Sequence, residues 1–204
     1  MDKNKLIWII ATVIILVIVV YSFQGGESEE AYVERITMER DDKDRFMRTD
    51  SESPFFGQLE TYNGLKYYPP VPELKINARF SEIEEKERMT LPTSDGKTRD
   101  YLEYGYAQFV LEDKEQRLLI LEDLSGKEGE SKLFLAFGDA TSAVATYGGG
   151  RYMDLKHNGG RNIILDFNQA YNPYCAYSEK FVCPFPPKEN LLEVAITAGE
   201  KMYE

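Results

Sequence analysis

The apolar residues from Phe55 onward occur in short extended runs separated by proline, glycine and aspartate, and this spacing restricts the fold more than any other feature. Residues 73–80 alternate apolar and polar side chains, which is typical of a strand with one buried face. Residues 101–112 and 117–124 are separated by a turn at 113–114, so we expect a hairpin there. Roughly eight or nine such runs follow one another without a helical crossover. The sequence therefore predicts a mainly β domain, either an antiparallel β-sandwich or a partly open barrel.

Four further runs are assigned to the same sheet. The run at 64–72 ends in prolines, which lack the backbone N–H that a central strand needs, so it suits only an edge strand or an extended arm. Residues 132–139 and 162–167 are each expected to form a strand, and residues 191–199 are expected to close the sheet. The aromatic side chains of 14 tyrosines and 11 phenylalanines supply enough apolar area for one core.

The stretch 6–23 is apolar apart from Thr12 and Ser22. As a helix it would extend roughly 27 Å, enough to cross a thin hydrocarbon core. Two lysines precede it and acidic residues follow it, and this bias predicts an amino terminus in the cytoplasm. We therefore expect residues 1–26 to form a single-pass membrane anchor, through which the membrane is a partner, with the rest of the chain outside the cytoplasm.

A cleaved signal peptide is the alternative for this stretch. Val20 and Ser22 match the small residues of a cleavage site poorly, and the apolar part is long for a signal peptide. No cysteine that could carry a lipid follows directly. These features favour the retained anchor.

Residues 27–53 have the pattern of a charged amphipathic helix. Ser28 is placed to cap its amino end, and acid-before-base pairs recur at a spacing of four residues. Its apolar face is thin, which predicts a solvated spacer that docks only at its far end. The helix should end before Ser53 and Pro54, and residues 54–204 should form the β-rich extracytoplasmic domain.

The charge of the chain excludes one class of partner. With 35 acidic and 24 basic residues, the formal net charge is −11, which repels a nucleic-acid backbone, so no nucleic-acid partner is expected. His157 is the only histidine and lies in a turn-rich context, so a two-histidine metal centre is impossible. The sequence has no nucleophile elbow, no phosphate-binding loop and no dinucleotide fingerprint, and it predicts neither a metal nor a cofactor.

The stretch 137–190 concentrates the residue types that form sites. Three glycines at 148–150 let the backbone turn sharply directly before Arg151, whose guanidinium suits a carboxylate or phosphate. The polar and aromatic residues around it form a candidate ligand site: Asp139, Thr141, Tyr147, Arg151, Tyr152, Asp166, Asn168, Tyr171, Asn172 and Tyr177. The structural alternative is that Arg151 pairs with Asp139 or Asp166 and that the tyrosines pack in the core.

Several segments resemble the uncharacterised bacterial family called domain of unknown function 1684. They are TYGGGRYMD at 146–154, LDFNQAYNPYCAYS at 165–178, CPFPPKEN at 183–190, AGEK at 198–201, RDDKDRFMRTDSESPF at 40–55 and GLKYYPP at 64–70. The resemblance covers most of the chain that follows the apolar stretch. It implies a bacterial cell membrane as the location and singles out these residues, but it supplies no chemistry.

Cys175 and Cys183 are the only cysteines. Outside the cytoplasm such a pair is expected to oxidise, so we predict a disulfide between them. The alternatives are a zinc site, which would need carboxylates to complete its ligands, and a cysteine nucleophile, which would need a basic partner.

Three functions remain open on the sequence. The first is a membrane-tethered domain that binds a small polar or anionic ligand at the candidate site. The second is a hydrolase in which Asp139 and Asp166 act as acid and base, which requires two carboxylates facing a cleft. The third is a purely structural envelope protein. A direct bridge from Arg151 to either aspartate would favour a structural role for the cluster.

Overall fold

One antiparallel sheet and one helix make up the regular structure in a computed structural model, which describes Thr12, Ile14 and residues 27–124 and 132–203. The helix is α1 (Glu29–Thr49). The strands are β1 (Lys75–Glu82), β2 (Arg88–Pro92), β3 (Thr98–Leu111), β4 (Lys114–Asp123), β5 (Lys132–Phe137), β6 (Arg151–Leu155) and β7 (Asn162–Asp166).

The strands are hydrogen-bonded in the order β6-β5-β4-β3-β1-β7, and β2 pairs with the outer part of β3. Every pairing is antiparallel, and the sheet curls strongly into an open half-barrel. The prediction of a mainly β domain is therefore confirmed, and of its two architectures the open barrel is the nearer. The sandwich prediction is wrong because the seven strands belong to one sheet rather than to two stacked sheets.

The long hairpin β3–β4 forms at the predicted place. Glu112 and Asp113 both have positive φ, 52° and 58°, as a two-residue turn between twisted strands requires. A bulge in β3 shifts the register between Glu103 and Gly105 and adds to the curl of the sheet. At this bulge the ring of Phe80 lies where a Cβ on Gly105 would be, 2.4 Å away, so only glycine lets the two strands approach.

The main core fills the hollow of the half-barrel. Strand residues such as Leu118 and Ile120 are fully buried there, and Phe137 packs edge-on against Phe167 with ring centroids 5.3 Å apart. The carboxyl-terminal residues Leu192, Val194, Ile196 and Ala198 complete this core.

The prediction that residues 191–199 form a closing strand is wrong, although their burial alternates as in a strand. The segment is extended, but the carbonyls of Ile196 and Ala198 accept hydrogen bonds from the side chain of Arg151 instead of from a neighbouring strand. The run at 64–72 is an extended arm, as predicted, and is held to the carboxyl-terminal segment where Tyr68 N–H donates to the carbonyl of Gly199.

Helix α1 begins at the predicted cap, where Ser28 Oγ accepts from the N–H of Ala31 at 3.2 Å. It differs from a solvated spacer because it packs on the domain along its whole length. Tyr32, Ile36 and Met47 are all buried, and Tyr32 Oη donates to a buried carboxylate of the sheet. The sequence analysis missed this face because a tyrosine contributes an apolar ring with a polar end.

The predicted anchor at 6–23 lies outside the described residues, apart from Thr12 and Ile14. Within the described part of the chain, no helix combines the length and the apolar character needed to cross a membrane.

Candidate functional site

Arg151 is part of the framework of the fold. The residue is only 1% exposed, and its Nη2 donates to Asp139 Oδ2 at 2.8 Å and to the carbonyl of Ile196 at 2.9 Å. Its Nη1 donates to the carbonyl of Ala198 and, at 3.4 Å, to that of Glu200. One guanidinium therefore fixes the carboxyl-terminal segment to the start of β6, which is the structural alternative considered above.

The glycines before Arg151 serve the same framework. Gly150 has φ +85°, and a Cβ there would lie 2.5 Å from Pro186 and 2.7 Å from the carbonyl of Phe137. A cavity of about 290 Å³ lies beside 148–150, but Arg151 does not line it. The predicted pocket around the guanidinium is therefore not what the glycines create.

The two aspartates proposed as an acid and base pair belong to separate buried networks. Asp139 accepts from Arg151 and, through Oδ1, from the N–H and the hydroxyl of Thr141 at 2.8 and 2.6 Å. Asp166 accepts from Tyr32 Oη at 2.7 Å and from Asn168. Each carboxylate already has its own donors and is buried, so neither is arranged to face a substrate.

A third buried carboxylate, Glu200, was not among the predicted site residues. It accepts hydrogen bonds from Tyr177 Oη and, at 3.0 Å, from Asn172 Nδ2, and Lys43 of α1 bridges to it at 3.0 Å. Burial and the adjacent Glu200 carboxylate raise the pKa of Tyr177 well above its usual value. The network ties α1 to the carboxyl terminus. Its only signal in the sequence was the resemblance over 198–201.

The largest cavity among the described residues is a cleft of about 550 Å³ between the carboxyl-terminal half of α1, the outer face of β6 and the segment 171–184. We call it the aromatic cleft. Its lining residues are Lys43, Phe46, Met47, Arg99, Tyr152, Asp154, Gln169, Tyr171, Pro173, Tyr174, Phe181, Val182, Cys183 and Pro184. Two of the ten predicted site residues, Tyr152 and Tyr171, are among them.

The fold positions these two tyrosines through backbone pairing at the edge of the sheet. Tyr152 N–H donates to the carbonyl of Tyr171 at 2.8 Å, and Tyr171 N–H returns the bond at 2.9 Å. The Tyr152 hydroxyl donates to the carbonyl of Pro184, and the Tyr171 hydroxyl donates to Asp154 Oδ1 at 3.1 Å. Burial raises the pKa of both phenols, so each hydroxyl stays protonated as a donor. The rings are therefore fixed walls of the cleft.

The cleft differs in charge from the chain as a whole. Lys43 and Arg99 contribute two positive charges to its lining and Asp154 one negative charge, whereas the chain carries −11. The ammonium of Lys43 lies 4.7 Å from the centre of the Tyr171 ring, a cation–π contact that holds it at the wall. Rigid aromatic walls with a few placed charges are the usual composition of a small-molecule site.

The two cysteines are free thiols, so the predicted disulfide is absent from this structure. Instead, the N–H of Cys175 donates to Cys183 Sγ at 3.2 Å, and Tyr147 Oη lies 3.9 Å from Cys175 Sγ. Cys183 lines the aromatic cleft. The pair is therefore held together by hydrogen bonds rather than by a covalent bond.

His157 takes no part in these groups. Its ring packs 4.2 Å from that of Phe80, and its nitrogens lie within hydrogen-bond distance of Tyr104 Oη at 3.2 Å and the carbonyl of Gly160 at 2.7 Å. Across residues 27–124 and 132–203, no three histidine, cysteine or carboxylate side chains cluster in a way that could hold a metal ion.

Comparisons with known proteins place the chain in a family. Residues 60–201 match the family model described as protein of unknown function (DUF1684). The solution NMR structure of the uncharacterized protein from gene locus rrnAC0354 of Haloarcula marismortui is 37% identical, with a TM-score of 0.65. The alignment covers 84% of this chain and 95% of that one. No curated protein matches. The resemblance found from the motifs is thus confirmed.

Proposed function

This chain belongs to the family of proteins of unknown function DUF1684, and on that premise we propose that its domain binds a small aromatic molecule carrying one negative group in the aromatic cleft. The observation that carries the proposal is the composition of the cleft: four aromatic side chains, those of Tyr152, Tyr171, Tyr174 and Phe181, together with two cations in an acidic chain. The expected ligand is still a small anion, but the site is not the one predicted at Arg151.

The size of the cleft supports a small molecule. Sites for such ligands usually have volumes of about 300–1,000 Å³, and the cleft has about 550 Å³. The aromatic lining favours a ligand with a flat apolar body, because stacking and burial of apolar area both contribute to its binding. Tyr174 and Phe181 already pack edge-on with centroids 5.1 Å apart, which leaves fixed ring surfaces for a ligand.

The charges of the cleft support an anionic group on that ligand. The Lys43 ammonium and the Arg99 guanidinium are the cationic groups of the lining, and Arg99 is exposed. A negative group near Arg99 gains a charge-assisted hydrogen bond that a neutral analogue cannot make.

We also propose that an anchor at 6–23 holds this domain outside the cytoplasm. The apolar length of that stretch and the two preceding lysines support the proposal. A carboxyl-terminal alkaline phosphatase fusion should be active in a bacterial host. A fusion that is well expressed but inactive would contradict the orientation.

The binding proposal is tested with anilinonaphthalene sulfonate, a fluorescent aromatic anion, and with the neutral phenylnaphthylamine as its matched analogue. The folded chain should bind the anion at one site and more tightly than the neutral probe. Arg99→Glu reverses a charge in the cleft and should weaken binding of the anion about tenfold, roughly 1.4 kcal/mol, while the neutral probe is little affected.

Arg161→Glu is the matched control, since Arg161 is exposed on the loop before β7 and does not line the cleft. It should leave the affinity for both probes within about twofold. Unsaturable binding, or equal weakening in the two arginine variants, would contradict the proposed site.

A further inference from the structure

We propose that Cys175 is a nucleophilic thiol that undergoes thiol–disulfide exchange with small anionic disulfides brought to it by the aromatic cleft. The inference rests on the proposed function, because the cleft is what would hold the substrate. It assigns a chemical activity to a residue pair that neither the fold nor the binding function requires.

The geometry around the pair is asymmetric. Cys175 lies in the short helical turn Tyr174–Ala176, and its sulfur is the acceptor for donors around it, the Cys183 thiol first and the hydroxyls of Tyr147 and Ser94 after it. Cys183 is held in place from the other side, because its own N–H donates to Ser94 Oγ at 3.2 Å and its carbonyl accepts from the Ser94 N–H at 2.9 Å. Three side-chain donors thus converge on one sulfur.

Donors that converge on a sulfur stabilise its thiolate. The hydrogen bond from the Cys183 thiol, aided by those from Tyr147 and Ser94, lowers the pKa of Cys175 to about 7. Cys183, as the donor of that bond, has its pKa raised. About half of Cys175 is therefore ionised at neutral pH while Cys183 stays protonated, so the structure selects Cys175 as the nucleophile and Cys183 as a positioning residue.

The cleft gives access to this site. Cys183 is one of its lining residues, together with Arg99 and the rings of Tyr174 and Phe181. Cys175, the residue next to Tyr174, is partly exposed. A flat anionic disulfide bound in the cleft would therefore have its sulfur–sulfur bond beside the thiol pair.

The proposed step is balanced without an additional reactant. The thiolate of Cys175 attacks one sulfur of R–S–S–R, a bond forms between Cys175 Sγ and that sulfur, and the other sulfur leaves as the thiolate R–S⁻. A thiolate R′–S⁻ from solution then displaces the bound group as R–S–S–R′ and regenerates Cys175. No net oxidation or reduction occurs.

The size of the rate effect determines the best measurement. Lowering a thiol pKa from the ordinary value of about 8.5 to about 7 raises the thiolate fraction at pH 7 roughly fifteenfold, but the weaker nucleophilicity offsets about fivefold of this gain. The net gain from ionisation is only about threefold. The midpoint of the pH–rate profile is therefore a sharper readout than the rate at a single pH.

The experiment follows thiolate release from dithiobis(nitrobenzoate), a dianionic aromatic disulfide, by the purified full chain between about pH 5 and pH 10. We expect a rapid phase with a midpoint near pH 7 that Cys175→Ser abolishes. Cys183→Ala should move the midpoint up by about one unit or more, and Cys183→Ser, which keeps a hydroxyl donor, should restore most of the shift. The neutral dithiodipyridine should lose the dependence on Arg99 that the anionic reagent shows.

A midpoint near 8.5 in the unmodified chain, or a rapid phase that survives Cys175→Ser, would overturn the proposal. The failure of the exchange activity is separable from the failure of the binding function. Cys175→Ser should still bind anilinonaphthalene sulfonate, so a chain that binds the probe without rapid exchange refutes only this inference. A chain that exchanges rapidly but equally with both disulfides refutes the role of the cleft.

Discussion

Replacement of Arg151 by lysine tests whether the guanidinium is a structural element or a ligand-binding group. The side chain is buried and reaches Asp139 Oδ2 at 2.8 Å, the carbonyl of Ile196 at 2.9 Å and the carbonyl of Ala198. A lysine keeps the positive charge, but its single nitrogen cannot replace two separate guanidinium nitrogens. We therefore expect Arg151→Lys to retain the ion pair and to lose one or two of the carbonyl contacts.

The size of the effect follows from these contacts. A hydrogen bond to a charged group contributes about 1.5–3 kcal/mol, and a buried carbonyl left without a donor adds a desolvation cost. Losing one or two such bonds should destabilise the fold by about 2–4 kcal/mol. In a domain of this size, that corresponds to a decrease of the unfolding midpoint by roughly 5–15 °C.

Thermal unfolding followed by circular dichroism measures the shift, and Arg161→Lys serves as the exposed control. The control should change the midpoint by less than about 2 °C, since surface substitutions are usually within about 0.5 kcal/mol. Asp139→Asn should be at least as destabilising as Arg151→Lys, because it leaves a buried cation without its counter-charge. An Arg151→Lys chain that unfolds within about 2 °C of the unmodified one would refute the structural role of the guanidinium.

Three further outcomes follow from the geometry. Gly150→Ala should destabilise by at least about 3 kcal/mol in urea unfolding, whereas Gly96→Ala, at φ +79° in open space, should cost only about 1–2 kcal/mol; equal effects would contradict the steric argument. Tyr177→Phe removes a donor from a buried carboxylate and should cost about 1–3 kcal/mol; a neutral result would contradict this network. The hydroxyl of Thr93, first among its donors, holds the pKa of Asp95 at about 2, so the stabilisation is complete above its ordinary pKa of 3.8 and is lost as the pH falls through about 2. An NMR titration of Thr93→Ala should show this pKa raised, and an unchanged value would contradict the assignment.

The sequence predicted the β class and the hairpin because both depend on local signals. Alternation along β1, β3 and β4 and a turn at Asp113 are properties of neighbouring residues, and the structure keeps them. The fate of residues 191–199 depends instead on a distant side chain. Their alternation was interpreted correctly as a buried face, but a guanidinium 45 residues away in sequence occupies the carbonyl of Ile196.

The candidate site was only partly predictable for a similar reason. Tyr152 and Tyr171 could be singled out because they lie in a stretch rich in turn residues, and they do line the aromatic cleft. Lys43 and Phe46 lie on a helix whose charged pattern predicted a solvated spacer, so nothing local connected them to β6. Arg99 lies at the start of a strand and reaches the cleft through the curl of the sheet, which the strand pattern does not encode.

The most direct test of the account is an NMR titration of the isotope-labelled chain with anilinonaphthalene sulfonate. The account predicts that amide signals of Lys43, Tyr174 and Phe181, around the aromatic cleft, shift progressively to saturation. Signals of Arg151 and of the segment 196–199, which belong to the buried framework, should stay nearly unchanged. Saturable shifts centred on Arg151, with none around the cleft, would contradict the central claim that the cleft rather than the arginine cluster is the binding surface.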